Sequence, residues 1–458
     1  MKRLWRAMSL GATTRAELAH TEIFEKLALL AVVFAPFQYA LTLNVGFPLK
    51  ISEVLIAGAA ITRLFTLVAQ RRWWRRGFDI YAVGAIALVV VVSTSYTLLR
   101  RDMTADVDGI DRALWIDAAM YGAYAIVIIV AWMLLRDTNR TLLLEALLAG
   151  VWLCVLAVAA QAAFLMLSRP DVLEAVGFDM RRRGQEVFGL QLARSGPFLE
   201  GQHLGFYAGA MSVLALTSRR WVTAAAALIC VLYSQSTTGV LGLAAAAVVF
   251  VMVRPTRRTL IASGIVVVLG AIATFAVPQL RTAAMFQLSK LGLVPSAEGI
   301  NATQSIDVRG IKSEIGWRML LDNPVIGAGP GRYGYEFPKY SHDYDLPEYY
   351  FTADIRAIAE NGYAQLGAEL GAVALLAFVA LVLWLFVVFA RRRSPLVAAV
   401  AFVAVAFATQ SSWTFIPIWL VLGYLCACAT QPQPVEEQTR DVRPSSGGVR
   451  NGSVTTDR

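Results

Sequence analysis

Twelve runs of apolar residues, many close to twenty long, set the limits on what this chain can fold into. They fall at 23–43, 51–69, 79–99, 113–135, 141–167, 203–217, 221–234, 237–253, 258–277, 358–390, 395–409 and 413–430. About 20 apolar residues are what a helix needs to cross a hydrocarbon core ~30 Å thick. Backbone polar groups find no water there, so runs of this kind are satisfied only as helices. Composition agrees: 57% of residues are hydrophobic and 16% charged, where soluble domains carry about a quarter charged residues. The expected fold is an all-α integral membrane protein of about 12 transmembrane helices.

The connections between runs carry an orientation. Five short ones, at 70–77, 136–140, 218–220, 254–258 and 391–394, hold fourteen arginines (R-R-W-W-R-R is the plainest) and one acid, Asp137. The short connections of the other side, 44–50, 100–112, 235–238 and 410–412, hold Lys50, Arg100, Arg101 and Arg112 against four aspartates. Arginine-rich short loops stay in the cytoplasm, which places both termini inside. The same pattern accounts for the net charge of +9 and removes nucleic acid from the expected partners, leaving the lipid bilayer. No cleavable signal peptide is evident in the first 20 residues.

The resulting plan has a cytoplasmic N-terminus over 1–22, spans 1–9 within 23–277 with an outer loop at 168–202, and a large extracytoplasmic loop at 278–357 between spans 9 and 10. Spans 10–12 fill 358–430, and a polar, disordered cytoplasmic tail follows at 431–458. Cys154, Cys230, Cys426 and Cys428 fall in or at the ends of apolar runs. They read as small hydrophobes, with neither a disulfide framework nor a metal site. A segment as long as 278–357 inside a compact chain calls for a functional reason. Within it, Ile311, Ile315, Met319 and Leu320 recur at helical spacing. Asn323-Pro324 ends that helix, because the residue before proline is pushed out of the helical region. Gly327, Gly329 and Gly331 follow at alternate positions, as an anion-binding turn or as a tight turn packing the loop helix on the membrane domain.

Three stretches carry a resemblance. Arg309 precedes D-N-P-V-I-G-A-G-P-G-R-Y (322–333), which leads through a polar loop to E-N-G-Y-A-Q-L-G-A-E-L-G (360–371), while R-S-G-P-F (194–198) lies in the earlier outer loop. The order and placement of these stretches resemble the O-antigen ligase and O-antigen polymerase superfamily, in which an arginine stands about fifteen residues before a P-x-x-G-x-G turn. The family then shows His-Asn-x-Tyr and Glu-x-Gly at the top of a span. The resemblance covers most of the chain in architecture and about 60 residues in motif.

The resemblance implies an inverting, metal-independent glycosyltransferase without a cofactor. Its donor would be an undecaprenyl-diphosphate-linked glycan, and its acceptor a hydroxyl on a saccharide or lipid-linked partner. Arg194 and Arg309 then take diphosphate binding and leaving-group stabilisation, for which the planar guanidinium suits phosphate oxygens. Asn361, Tyr363, Gly327, Gly329, Arg332 and His203 are the expected substrate-binding residues. Where the family has histidine this chain has Glu360. Glu360 is either the base that draws the acceptor proton or an acid of the first helical turn facing the helix dipole. His203 stands either for the missing family histidine or for structural hydrogen bonding. Arg181, Arg182 and Arg183 either attract anionic lipid or form a solvated run. His342 lies in Y-S-H-D-Y-D-L-P-E-Y-Y (340–350), a run suited to sugars or to an interfacial tyrosine belt.

Gly367 and Gly371 lie within ~20° of the Glu360 face at 100° per residue, a smooth face for a polyprenyl chain or a neighbouring helix. Glu369 faces the other way, and an ionisable group inside a span needs a partner in the bundle. The expected location is the cytoplasmic (inner) membrane, and the expected activity is glycan transfer or polymerisation at its outer face. The alternatives are a transporter or flippase for lipid-linked oligosaccharide and a non-catalytic partner in envelope polysaccharide assembly.

Overall fold

The computed structural model describes residues 21–44, 48–70, 77–99, 114–181, 183–187, 190–257, 260–261, 264, 274, 276–290, 294, 302–344, 346, 357–410 and 412–431. Expectations for the N-terminal segment, the R-R-W-W-R-R run, most of the ninth apolar run, most of 345–356 and the tail after Gln431 lie outside these residues.

The described chain is helical, with two short antiparallel hairpins, Leu43–Asn44 with Pro48–Leu49 (β1, β2) and Arg183–Val187 with Leu190–Ala193 (β3, β4). Among the described residues five helices contain stretches long and apolar enough to cross a membrane: α2 (Ile51–Gln70), α3 (Phe78–Leu99), α4 (Leu114–Asp137), α5 (Arg140–Met166) and α13 (Gly362–Arg391). Shorter apolar helices accompany them: α8 (Trp221–Ser234), α9 (Thr237–Val253), α14 (Val397–Phe407) and α15 (Ile416–Thr430). The first apolar run is helical only over α1 (Ile23–Phe34). Pro36 follows its cap, and the chain then turns towards β1, since proline offers no N–H to continue the ladder. The remaining helices are α6 (Pro170–Glu174), α7 (Gly201–Thr217), α10 (Pro278–Lys290), α11 (Ala302–Asp322) and α12 (Tyr333–Ser341).

One large core runs through the bundle, with Tyr207, Phe206, Phe402, Phe407, Phe378, Trp413 and Trp419 near its centre. Large apolar side chains also point outward, among them Phe65, Val68, Leu88, Leu156, Leu232, Met252, Leu376 and Leu383. Outward apolar surface on this scale belongs to a membrane-facing exterior. All four cysteines are buried and free. A buried ion pair, Arg136 on α4 with Asp79 on α3, closes one end of the bundle.

A second, smaller core holds α11 and α12 against α13: Val308, Ile315 and Met319 of α11, Tyr333 and Phe337 of α12, and Ala364 and Ala368 of α13. The stripe read at Ile311, Ile315 and Met319 faces this core, and α11 stops at Asp322 before Asn323-Pro324. The helix starts at Ala302, earlier than the apolar stripe marks.

The glycine turn then enters the membrane domain. Helix α13 is interrupted at Gly371, whose φ of 75° and ψ of −178° leave the helical region. The interruption strands backbone groups, and the turn takes them up. Ala328 N–H donates to Ala368 O (2.8 Å), Gly329 N–H to Glu369 O (3.0 Å), and Ala372 N–H to Pro324 O (2.7 Å). Ser93 Oγ on α3 donates to Ile326 O (2.8 Å). Irregular backbone at membrane depth is tolerated where protein surrounds it in this way. The turn's Ala328 and Gly329 N–H groups are thus engaged by α13, which corrects the anion-binding reading of the turn. The Gly367/Gly371 face is filled as well: Leu320 lies against Gly367, and Val325–Gly327 against Gly371. That leaves no smooth face there for a polyprenyl chain.

Gly327 has φ of +68°, and a Cβ there would collide with the Glu369 backbone. Gly327→Ala is therefore expected to cost about 2–4 kcal/mol through left-handed strain and overpacking. The check is the thermal midpoint of the detergent-purified protein; an unchanged midpoint would refute the docking.

Candidate functional site

Asn361 begins the site by starting α13. Its side chain accepts from Tyr363 N–H (3.1 Å) and Ala364 N–H (3.3 Å), satisfying donors that a helix start leaves orphaned. Asn361 is the cap, so Glu360 lies outside the helix, and the first-turn reading of that glutamate is corrected. Asn361 Nδ2 also donates to Ser313 Oγ (3.0 Å), tying α13 to α11.

Glu360 is released from the helix and turned towards α11. Its backbone is left-handed, with φ of 51°, a conformation that is uncommon outside glycine, asparagine, aspartate and histidine. Its carboxylate is gripped from both sides: Arg309 Nε is 2.7 Å from Oε2, and Lys312 Nζ 2.8 Å from Oε1. The two cations are three residues apart on α11 and so share a face. Their exposures differ. The Arg309 side chain is 49% exposed and the Lys312 side chain 6%, with Glu360 between them at 17%. The cluster thus has a wet edge at Arg309 and a dry floor at Lys312. Lys312 escaped the sequence reading, although its spacing from Arg309 within one helix was the signal for it.

Tyr333 closes the floor. Its hydroxyl donates to Lys312 O (2.6 Å). Burial, with the Glu360 and Glu369 carboxylates nearby, pushes the phenol well above its ordinary range. The neutral, donating form is favoured, so this bond persists through physiological pH.

A second cluster lies deeper, where Glu369 is 1% exposed. Gln365 Nε2 donates to its Oε1 (3.0 Å), while Trp413 Nε1 (2.8 Å) and Gly331 N–H (3.0 Å) donate to Oε2. These are the bundle partners that an intramembrane acid requires. They join three segments far apart in sequence: the glycine turn, α13 and the approach to α15. Arg332, beside the turn, is buried and pairs with Glu336 (3.1 Å).

Other expected site residues are placed by different elements. In R-S-G-P-F, Gln161 of α5 donates to Ser195 Oγ (3.3 Å) and accepts from Gly196 N–H (2.9 Å). Arg194 lies beside Gly201 at the start of α7. His203 stacks on Phe415, with centroids 4.6 Å apart. Tyr363 turns inward and donates to Ala404 O (2.9 Å). Arg181 is 87% exposed, as a solvated residue would be. His342 is exposed, Tyr340 donates to Asp322 (2.7 Å), and Tyr344 lies under Arg318. The structure brings together Arg309 and Glu360, with Asn361 and Lys312 beside them. Gly327, Gly329 and Arg332 are placed around Glu369 instead. Among the described residues no group of three or more His, Cys, Asp or Glu side chains is arranged to hold a metal ion.

Trp413→Phe keeps most of the ring and removes one donor to a buried carboxylate. The expected destabilisation is about 1–3 kcal/mol, read as a lower thermal midpoint; no loss would show that Glu369 does not depend on this donor.

No curated protein matches the chain. Residues 222–379 match the family model described as O-antigen ligase. The match supports a multi-pass membrane protein concerned with lipid-linked glycan ligation or polymerisation in general. It takes in Arg309, Lys312, the glycine turn, Glu360 and Glu369 together, and over that stretch it supports the resemblance to the O-antigen ligase and polymerase superfamily.

Proposed function

We propose that this protein transfers or polymerises glycan from an undecaprenyl-diphosphate-linked donor onto an acceptor hydroxyl at the outer face of the cytoplasmic membrane. The observation that carries the reading is the cluster of Arg309, Lys312 and Glu360 at the head of α13. It sets two cations beside one carboxylate, with its open edge at the start of a long apolar helix.

In the free protein both carboxylate oxygens of Glu360 are occupied by cations. An incoming diphosphate competes for them, since the guanidinium fork matches phosphate oxygens. Contact with the diphosphate then frees Glu360 to receive a proton. The acceptor oxygen attacks the anomeric carbon from the face opposite the diphosphate, and the bond to the diphosphate oxygen breaks as the new glycosidic bond forms. The hydroxyl proton passes to Glu360, and the negative charge left on the diphosphate is held by Arg309 and Lys312, with Arg194 contributing from the earlier outer loop. A single displacement inverts the anomeric centre. The protein's own cations supply the charge that leaving-group departure requires, so no metal is needed in this scheme.

Purified protein incubated with undecaprenyl-diphosphate glycan and acceptor tests the scheme. Arg309→Ala is expected to reduce product by about 10²-fold or more while the protein remains in the membrane; near-normal product removes Arg309 from the site. Glu360→Gln is expected to lose most of the transfer rate, at least about 10²-fold, and Glu360→His to retain activity. A fully active Gln variant would leave Glu360 with an ion-pairing role alone. Translocation of the lipid-linked donor without release of diphosphate would favour the flippase alternative.

A further inference from the structure

A second charged site lies at the other end of the bundle. Helix α13 starts at the Glu360 cluster and runs 30 residues to Arg391, roughly 45 Å by helical rise. There an open cleft of about 800 Å³ is lined by Arg140, Arg254 and Arg392, with Thr141, Ser218 and the apolar Leu144 among the other residues. The three arginines come from the start of α5, the end of α9 and the end of α13, so the cleft exists only in the assembled bundle.

Their charges are not answered by acids. Arg254 donates to Arg393 O (2.7 Å), and Arg392 to Cys428 O (3.4 Å) and Ala429 O (3.0 Å), all backbone carbonyls. Among the described residues, Glu145 on α5 is paired with Arg220, and Asp79 with Arg136, which leaves no carboxylate paired with the three. Arg140 also opens α5, where the helix dipole disfavours a cation; helix stability does not explain it. Three like charges around one cavity repel each other unless an anion joins them. Guanidinium groups and hydroxyls suit phosphate oxygens, and the apolar wall suits an acyl chain. Basic pockets between membrane helices on the cytoplasmic side take anionic headgroups, and the arginine distribution in the short loops assigns this end to the cytoplasm.

We propose that this cleft binds the phosphate headgroup of an anionic membrane lipid. The site is independent of the glycan-transfer reading and shares none of its residues.

The experiment uses the full-length protein purified in mild detergent, with retained phosphatidylglycerol or phosphatidylcholine counted by native mass spectrometry. Wild type is expected to hold phosphatidylglycerol in preference to phosphatidylcholine. The triple variant Arg140→Gln, Arg254→Gln, Arg392→Gln is expected to lose at least about tenfold of that retention. Thr141→Glu keeps every arginine and sets an acid in the first turn of α5, where the dipole favours it. It is expected to lose the lipid as well, with no fall in thermal midpoint. Equal retention of the two lipids by wild type, or retained phosphatidylglycerol in the Thr141→Glu protein, overturns the proposal. A midpoint raised by millimolar inorganic phosphate but not by phosphatidylglycerol also overturns it, assigning the cleft to a soluble anion.

Discussion

The break in α13 at Gly371 is the constraint on which the site depends. A helix interrupted inside a membrane leaves backbone donors and acceptors that hydrocarbon cannot satisfy. Here the Pro324–Gly331 turn supplies them through Ala328, Gly329 and the Pro324 carbonyl. The exchange is mutual, because the turn's own polar backbone is equally unsuited to lipid. Once the turn is docked, α11 and α12 must lie over the first turns of α13, and the small core around Ile315, Met319, Tyr333 and Phe337 forms between them. Arg309 and Lys312 thereby come to rest opposite Glu360. The α11–α12 segment is half of a candidate site whose other half is the helix it covers.

Much of this was legible in sequence because it rests on local chemistry. Most of the apolar runs within the described residues became helices, the stripe at Ile311, Ile315 and Met319 faces inward, and Asn323-Pro324 ends α11 as a residue before proline should. Arg309 and Glu360 stand out in the sequence by their places in the two motifs, and they meet in the fold. What stayed hidden depends on segments meeting across long separations. Glu369 was an acid with an unnamed partner because Trp413 and Gly331 lie 44 and 38 residues away. The role of Asn361 as the cap turned on a backbone angle at Glu360 that residue type does not announce. Lys312 was missed for another reason: a lysine three residues from an arginine on a loop helix reads as an ordinary solvated charge until the second core buries it.

Glutamate at the position where the resemblance implies histidine sets the resting electrostatics of the head of α13. A neutral imidazole leaves neighbouring cations unneutralised, whereas a carboxylate neutralises them and is itself engaged. Two buried or half-buried cations beside an uncharged residue would suffer mutual repulsion, and burying Lys312 would be costly. With Glu360 present the cations are neutralised within the protein, and in the proposed reaction these ionic contacts are exchanged before the cluster meets a diphosphate.

The tie between Gly331, Glu369 and Trp413 also sets a schedule. The chain is made from its N-terminus at about 5–20 residues per second, so the glycine turn leaves the ribosome first. It has no surface to dock on until α13 is inserted, and Glu369 lacks one of its donors until the segment before α15 follows. Assembly of the candidate site is therefore among the last events of biosynthesis. A chain stopped short of Trp413 would hold all three members of the Arg309–Lys312–Glu360 cluster yet leave the buried Glu369 carboxylate one donor short.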